Sequence, residues 1–342
     1  MEWNDRKDVY LVTGADGFVG REICAALRAA GERVRGLVEV KRPTVPTPAG
    51  VQLVEGDVRD AAAFERLFDG VEPGRAALIH CAAVISVRKR NAYCEEVNVR
   101  GTENAIAASL RHGARLVHIA SVDALHPAVG QATAEPTRFE PAGLPTSYGR
   151  SKAAAAQKVL DAAANDGLDC TVLLPSAVIG PNDYRRGFIT QMLATYLNGM
   201  PRMSVAGGYE FVDVRDVAAA CITAAQRPGR GECYLLSSGY LPVTEVYDTL
   251  AGIVGRKPTA KTLPLGVLYP VAPLVCAACR LAGREPPLTT EAVRLLAAHP
   301  AYSHEKAQRE LGFAPRPLQT SIADAAAFLL SQRGAHGAGK EG

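Results

Sequence analysis

The chain has 342 residues, 48% of them hydrophobic and 21% charged, with a formal net charge of +3. That length exceeds one small domain and suits a large α/β domain with a second lobe and ample apolar material for a core. The small charge, with basic residues scattered, excludes a nucleic-acid partner, and eight singly spread cysteines exclude a disulfide framework and fit a reduced, cytoplasmic protein.

The N-terminus, MEWNDRKD, is polar and carries no signal-peptide core. Behind it VYLVTG reads as a strand and REICAALRAA as a helix. VRGLVE, VQLVEGD and ALIHCAA are further strands, a helix runs from Asn98 to Arg111, and RLVHIAS is the next strand. An Ala-rich helix beginning near Tyr148 leads to a last strand, DCTVLLP. Such alternation predicts a parallel sheet covered on both faces, a doubly wound α/β architecture over residues 1–175. After Pro175 the rhythm breaks at IGPNDYRRG. A smaller lobe is expected over 176–332, above the carboxyl edge of the sheet where open α/β folds bind ligands. VRDVAAACITAA and CYLLSS, within 211–238, read as returns to the large lobe, so the lobes interleave. The apolar run Leu263–Cys279 is interrupted by Pro264, Pro270 and Pro273 and falls short of a membrane span. It reads as a buried or pocket-covering helix, with a membrane-surface contact as the lesser reading. Cys276 and Cys279 form a lone CxxC inside it, which reads as core packing, so no metal is expected. Residues 333–342 are expected to be a disordered tail.

TGADGFVG, Thr13 to Gly20, joins the first strand to the first helix. Gly14 suits a tight turn, Gly17 a close approach of backbone to a pyrophosphate, and Gly20 close helix–strand packing. The helix N-terminus offers free N–H groups and a positive dipole end. Thr13, Gly14, Asp16, Gly17, Phe18, Val19 and Gly20 are therefore the expected dinucleotide cradle. Glu39, ending the second strand, is placed to accept from the adenosine ribose hydroxyl. A carboxylate there opposes the 2′-phosphate of NADP, while Arg35, Lys41 and Arg42 are nearby cations able to offset it; the balance leans to NAD over NADP. Asp57 reads equally as an acceptor from the adenine amino group and as the cap of a helix starting at Ala61. His80 reads as a buried, hydrogen-bonded residue, and Cys81, Ala82 and Ala83 offer small side chains where a cofactor crosses the sheet edge.

Tyr148 and Lys152 stand four apart on one face of their helix. A phenol with a pKa near ~10 exchanges protons poorly at neutral pH. An ammonium one turn away, with a positively charged nicotinamide, favours the phenolate and lowers that pKa. Tyr148 can then trade a proton with a substrate oxygen. The bland alternative is a surface tyrosine beside a salt-bridging lysine.

Together TGxxGxxG, the Asp after the third strand, HxAA, NVxGT at Asn98 to Thr102, YxxxK, PSAVIGP, FVDVRDVA and ELGFAPRP resemble the extended short-chain dehydrogenase/reductase family. They follow in the expected order over nearly the whole chain. The resemblance implies a Rossmann fold with a smaller, interleaved C-terminal substrate lobe, and NAD or NADP as cofactor. It gives Lys152 the nicotinamide ribose hydroxyls and Ser121 the substrate oxygen, and it adds Val58, Asn98, Pro175, Ser176 and Val178 to the cofactor site. It also implies a homodimer through the helices after Asn98 and after Tyr148, whose small residues exceed what one core-facing stripe needs.

Within that family, sugar-nucleotide enzymes carry Asn before the VxGP motif and Arg two residues before the aromatic of an RDF-type motif. Those positions here are Ala177 and Tyr209. Losing an amide and a guanidinium removes charge-assisted bonds from a diphosphate pocket; Arg185 and Arg186 are the remaining cations. LLPSAVIGP instead resembles dihydroflavonol-reductase-like and 3β-hydroxysteroid-dehydrogenase-like members, which implies a bulky, apolar substrate with one carbonyl or hydroxyl. The expected function is an NAD(P)-dependent oxidoreductase interconverting a ketone or aldehyde and an alcohol on a hydrophobic small molecule. The alternatives are a nucleotide-sugar epimerase or dehydratase and a non-catalytic dinucleotide-sensing protein. The intact Ser121-Tyr148-Lys152 set argues against the sensor.

Overall fold

Four apolar runs, VYLVT, AALIH, RLVHI and CTVLLP, are buried along their whole length, as strands covered on both faces must be. The computed structural model describes residues 7–39, 45–46, 48–127, 131–199, 203–258, 261–281, 293 and 301–338. In chain order the large lobe begins with β1 (Val9–Thr13), α1 (Phe18–Ala29), β2 (Val34–Val38), β3 (Gln52–Glu55), α2 (Ala61–Phe68) and β4 (Ala76–His80). It continues with α3 (Ala92–His112), β5 (Arg115–Ile119), a 3-10 turn (Val122–Ala124), α4 (Ser147–Asp166) and β6 (Cys170–Pro175). β7 (Ala177–Ile179), α5 (Phe188–Leu197), β8 (Met203–Val205) and β9 (Gly208–Asp213) enter the second lobe, and α6 (Val214–Ala225) and β10 (Glu232–Leu236) come back to the first. The second lobe then resumes with β11 (Gly239–Pro242), α7 (Val243–Ile253), β12 (Lys261–Leu263) and α8 (Leu265–Leu281), α9 (Glu305–Leu311) returns to the first lobe, and α10 (Leu318–Ala338) packs on the second.

Seven strands form one sheet in the order β10-β6-β5-β4-β1-β2-β3, every pair parallel. The chain reverses direction across the sheet between β1 and β4, and ligands of such sheets lie in the crevice beyond the carboxyl ends there. Thr13 stands opposite His80 in the register at that edge. One face is covered by α2, α3 and α4, whose Phe64, Ala105 and Val159 pack with Leu78 and Leu116. The other is covered by α1, α6 and α9, which close over Tyr10, Ile79 and Leu173. Each fully buried Leu or Phe contributes roughly 1.5–3 kcal/mol. The second lobe has its own core, with Leu193, Phe211, Leu250 and Ile322 among its buried members.

Three expectations need correcting. α3 starts at Ala92, not Asn98, with Asn91 capping it by accepting from Cys94 N–H at 3.1 Å; its first turn, AYCEE, lacks the apolar periodicity that would reveal it. α8 forms despite Pro270 and Pro273, but it is not a buried helix. Val267, Tyr269, Val271 and Leu274 face solvent, the last 70% exposed, while Leu268 and Ala272 pack inward on Val293. A helix apolar all round carries no stripe that says which side is covered. The side chains of Cys276 and Cys279 lie outside the described residues. Finally, α10 runs to Ala338, so the start of the tail expected to be disordered is helical. Arg333 anchors it by donating to the Leu197 carbonyl and to Asn198 Oδ1. No helix among the described residues is long and apolar enough to cross a membrane.

Candidate active site

β1 ends in Thr13 and the chain turns at Gly14 with φ +65°, a region other residues rarely enter. A Cβ on Gly14 would lie 2.9 Å from Ala82 Cα, and one on Gly20 would lie 2.2 Å from the Gly14 carbonyl oxygen. α1 therefore starts hard against the turn. Gly17 at its N-cap has no side chain to occupy the first N–H groups, so they remain open to an anion. Thr13 Oγ1 accepts from Ala82 N–H at 3.1 Å and meets His80 Nδ1 at 2.8 Å, which ties β4 to the turn. Phe18, Val19, Cys81 and Ala82 are half-buried around it and Ala83 is exposed. At the end of β6, Pro175 and the next residue, Ser176, are buried and Val178 is half-buried; the Ser176 hydroxyl has no partner. A ligand lying from the glycine turn to Ser176 would meet a cradle that a Cβ would fill at one end and an unsatisfied hydroxyl at the other. The residues present fit a dinucleotide.

The opposite end of that path is crowded with charge. Glu39 is exposed just past β2, and the Tyr93 hydroxyl donates to its Oε1 at 3.5 Å. Arg59 lies 5.2 Å above the Tyr93 ring, grips Asp57 through Nε and Nη2, and reaches Glu96 at 3.1 Å. Its hydrogen bonds hold the Asp57 carboxyl below the usual range. Of the two expected roles of Asp57, the helix cap is the one the structure does not give it. Its oxygens are engaged by Arg59, and the cap of α2 is Asp60, adjacent to the first helical residue, which accepts from Ala62 N–H at 3.0 Å. Arg35 does not turn toward Glu39 either; it donates to Gln52, Leu67 and Asp69. Lys41 and Arg42 lie outside the described residues. Val58 is buried, packed where a Cβ on Gly101 would have to sit.

Asn98 is held by the chain around it. It is 2% exposed, and its amide accepts from Val84 N–H and donates to the Val84 carbonyl and Ser151 Oγ. Its contacts are with protein, and they pin the loop after β4 onto α4.

Thr146 caps α4 by accepting from Gly149 N–H at 3.0 Å, which places Tyr148 in the first turn and Lys152 in the second. A Cβ on Gly149 would lie 2.5 Å from the Asp123 carbonyl oxygen. That close approach sets Tyr148 beside Ser121, whose Oγ accepts from Asp123 N–H at 3.1 Å. Burial, then the Asp123 carboxylate, push the Tyr148 phenol above its ordinary value, against an opposing hydrogen bond from Ser121. Lys152 is 3% exposed and donates to the Ile119 carbonyl. Burial brings its ammonium down to about 8. The lowering of Tyr148 expected from the lysine is thus not what the protein alone gives. Beneath them His80 and His118 stack at 5.7 Å, held neutral by burial, His80 at about 3.

Sequence reasoning missed Asp123, Arg59 and Tyr93. Asp123 is exposed yet deep enough among protein that burial raises its carboxyl, and its charge is felt by Tyr148, Tyr209 and Tyr302. Its position two residues past Ser121 is the one signal that would have found it. On the second lobe Tyr209 stands edge-on between Phe188, at 6.3 Å, and Phe211, at 5.9 Å. Ala177 lies opposite Phe211 in the β7–β9 register. Asp16, on the glycine turn, is ion-paired with Arg185.

Residues 10–236 match the model of the NAD dependent epimerase/dehydratase family. The sterol demethylase protein B of Methylococcus capsulatus is 30% identical over 324 residues, covering 93% of this chain and 97% of that protein. The 2-alkyl-3-oxoalkanoate reductase of Stenotrophomonas maltophilia is 31% identical over 324 residues, covering 90% of this chain and 94% of its own length. The crystal structure of gox2253 superposes with a TM-score of 0.79 at 31% identity, over 95% of this chain and 99% of the other.

Proposed function

The chain belongs to the NAD-dependent epimerase/dehydratase family, and on that premise we propose that it interconverts a ketone or aldehyde and an alcohol on a bulky, fairly apolar small molecule. Its cofactor is NAD or NADP, which when bound supplies or accepts the hydride. Tyr148 exchanges the proton with the substrate oxygen, and the Ser121 hydroxyl holds that oxygen in place. Lys152 holds the ribose hydroxyls at the nicotinamide end. Tyr148 is neutral in the free protein, because burial and Asp123 oppose its ionisation. Positive charge from Lys152 and the oxidised nicotinamide together is what frees its proton.

The observation that carries this reading is the aromatic cluster of Phe188, Tyr209 and Phe211 beside Ala177. A nucleotide-sugar diphosphate would need charge-assisted donors at those places, and burying it against rings without them costs several kcal/mol, on the order of 2–7 per unpaired polar group. The relatives' names agree, since a sterol and a 2-alkyl-3-oxoalkanoate each carry a large apolar part. At the adenosine end Arg59 is already paired with two carboxylates, Asp57 and Glu96, and the Glu39 carboxylate accepts from Tyr93 beside them, which supports NAD over NADP.

The test is to offer steroid ketones, flavonoids, 2-alkyl-3-oxoalkanoates and aromatic aldehydes with NADH or NADPH and follow nicotinamide absorbance, with UDP-glucose alongside. Oxidation driven by an apolar carbonyl compound is the expected result. Epimerisation or dehydration of UDP-glucose, with no turnover of the apolar compounds, would overturn the proposal.

A further inference from the structure

The loop from Asn182 to Gly187 reaches from the second lobe to the glycine turn, where its Arg185 pairs with Asp16. The loop is held in shape from both lobes. Tyr184 lies under the guanidinium of Arg21 on α1, 4.8 Å from ring to charge, and edge-on to Phe328 of α10 at 5.0 Å. Asp183, itself buried, accepts from Gly187 N–H at 2.7 Å, and Asn182 and Arg186 take positive φ values of 72° and 51° on either side. Residues other than glycine adopt that conformation when their surroundings impose it. The result of all this bracing is one guanidinium set beside the open N–H groups of α1.

Asp16 makes the arrangement informative. A lone carboxylate at a turn that receives a diphosphate would repel it. With a guanidinium attached, the same carboxylate becomes a holder that keeps a cation waiting at the right place. We propose that Arg185 is a ligand of the cofactor's diphosphate, held at the turn by Asp16 and transferred at least in part to the phosphate oxygens when the dinucleotide binds. The planar fork of arginine suits two parallel bonds to such oxygens. The second lobe thereby clasps a ligand that the first lobe seats, which also explains why Arg185 is not available to a substrate diphosphate. The inference rests on the dinucleotide lying along the glycine turn.

Calorimetric titration tests it with three probes: NAD+, ADP-ribose (which keeps the diphosphate without the nicotinamide) and adenosine (which has neither). Arg185→Ala should weaken NAD+ and ADP-ribose about tenfold or more and leave adenosine unchanged, with Arg185→Lys losing less. Asp16→Asn should tighten NAD+ several-fold by releasing the guanidinium. In the double variant Asp16→Asn/Arg185→Ala only part of the lost affinity should return. Full recovery there would mean that Arg185 merely masks Asp16, and would overturn the assignment. So would an unchanged ADP-ribose affinity in Arg185→Ala, or an equal loss for adenosine. The Arg185 side chain is 36% exposed, so its removal leaves the fold intact, and thermal melting checks that directly. If the unaltered chain binds neither NAD+ nor ADP-ribose, the seat itself is wrong, a result distinct from a loss confined to the variants.

Discussion

Replacing Tyr148 by Phe removes one hydroxyl and keeps the packing of α4. Turnover should fall by roughly two orders of magnitude or more while NAD+ affinity, read by calorimetry, stays close to that of the unaltered protein. Retained turnover would take the proton from Tyr148 and give it to another group. Lys152 makes a separate prediction because its ammonium is buried. Its value in the fold, about 8, lies below the ordinary 10.5, so below pH 8 the charged form opposes folding. Between 8 and 10.5 the unfolded chain binds a proton that the folded chain does not, and stability from this group rises with pH through that window. Lys152→Met should therefore melt about 2–4 °C higher at neutral pH, with the difference shrinking toward pH 10.5, and should bind NAD+ more weakly. A melting difference that stays constant across the window would show that the lysine's charge is not the cause. Glu39→Ala should shift kcat/KM toward NADPH; a tenfold NADPH preference in the unaltered protein would reverse the cofactor reading. Tyr148 and Lys152 were legible because their spacing makes them neighbours on one helix, whereas Ser121 was named only through the family resemblance. Arg59, Tyr93 and Glu39 were not legible as a group, since they come from two separate connections and the first turn of α3, which only the folded sheet brings together.

The geometry between Tyr148 and Ser121 belongs to elements rather than residues. Gly149 permits the first turn of α4 to rest on the 3-10 turn, so Gly149→Ala must move one of them to relieve a 2.5 Å contact with the Asp123 carbonyl. Overpacking of this kind costs about 1–3 kcal/mol. A loss in kcat of at least tenfold, larger than the stability change would suggest, is expected, because positioning error at a reacting group is costly. Turnover equal to the unaltered protein would mean that the contact relaxes harmlessly. α3 and α4 pack on each other, and Lys158 is paired to Glu103 at 2.9 Å across their outer side, where Ala107 and Leu110 are exposed. We expect this face to pair with its copy in a homodimer. Light scattering at micromolar concentration should give twice the chain mass, and Leu110→Asp should return it to one. The small residues of both helices were visible in the sequence; whether they serve the sheet beneath or a second copy was not, because alanine suits both. α8 was legible as a helix and illegible in its exposure for a similar reason, its sequence having no polar side to turn outward.

At the scale of the whole molecule, strand-helix alternation predicted the parallel sheet because runs of five or six buried residues, such as VYLVT and CTVLLP, announce strands covered twice. It did not predict how the second lobe lies over the site, since that depends on contacts such as Arg316 with Asp216, a hundred residues apart in the chain. The interleaving has a consequence in time as well as in space. β10 is the outermost strand beside β6, yet it is synthesised after β7, α5, β8, β9 and α6. Until residue 236 has left the ribosome, β6 is an unpaired edge made of CTVLLP, apolar and free to recruit another chain. A nascent chain stalled or truncated after Pro175 should therefore aggregate, whereas one ending after Leu236 should stay markedly more dispersed. Sedimentation of the two fragments made in a cell-free system would separate these outcomes, and equal solubility would show that β6 is shielded by something other than its late-arriving neighbour.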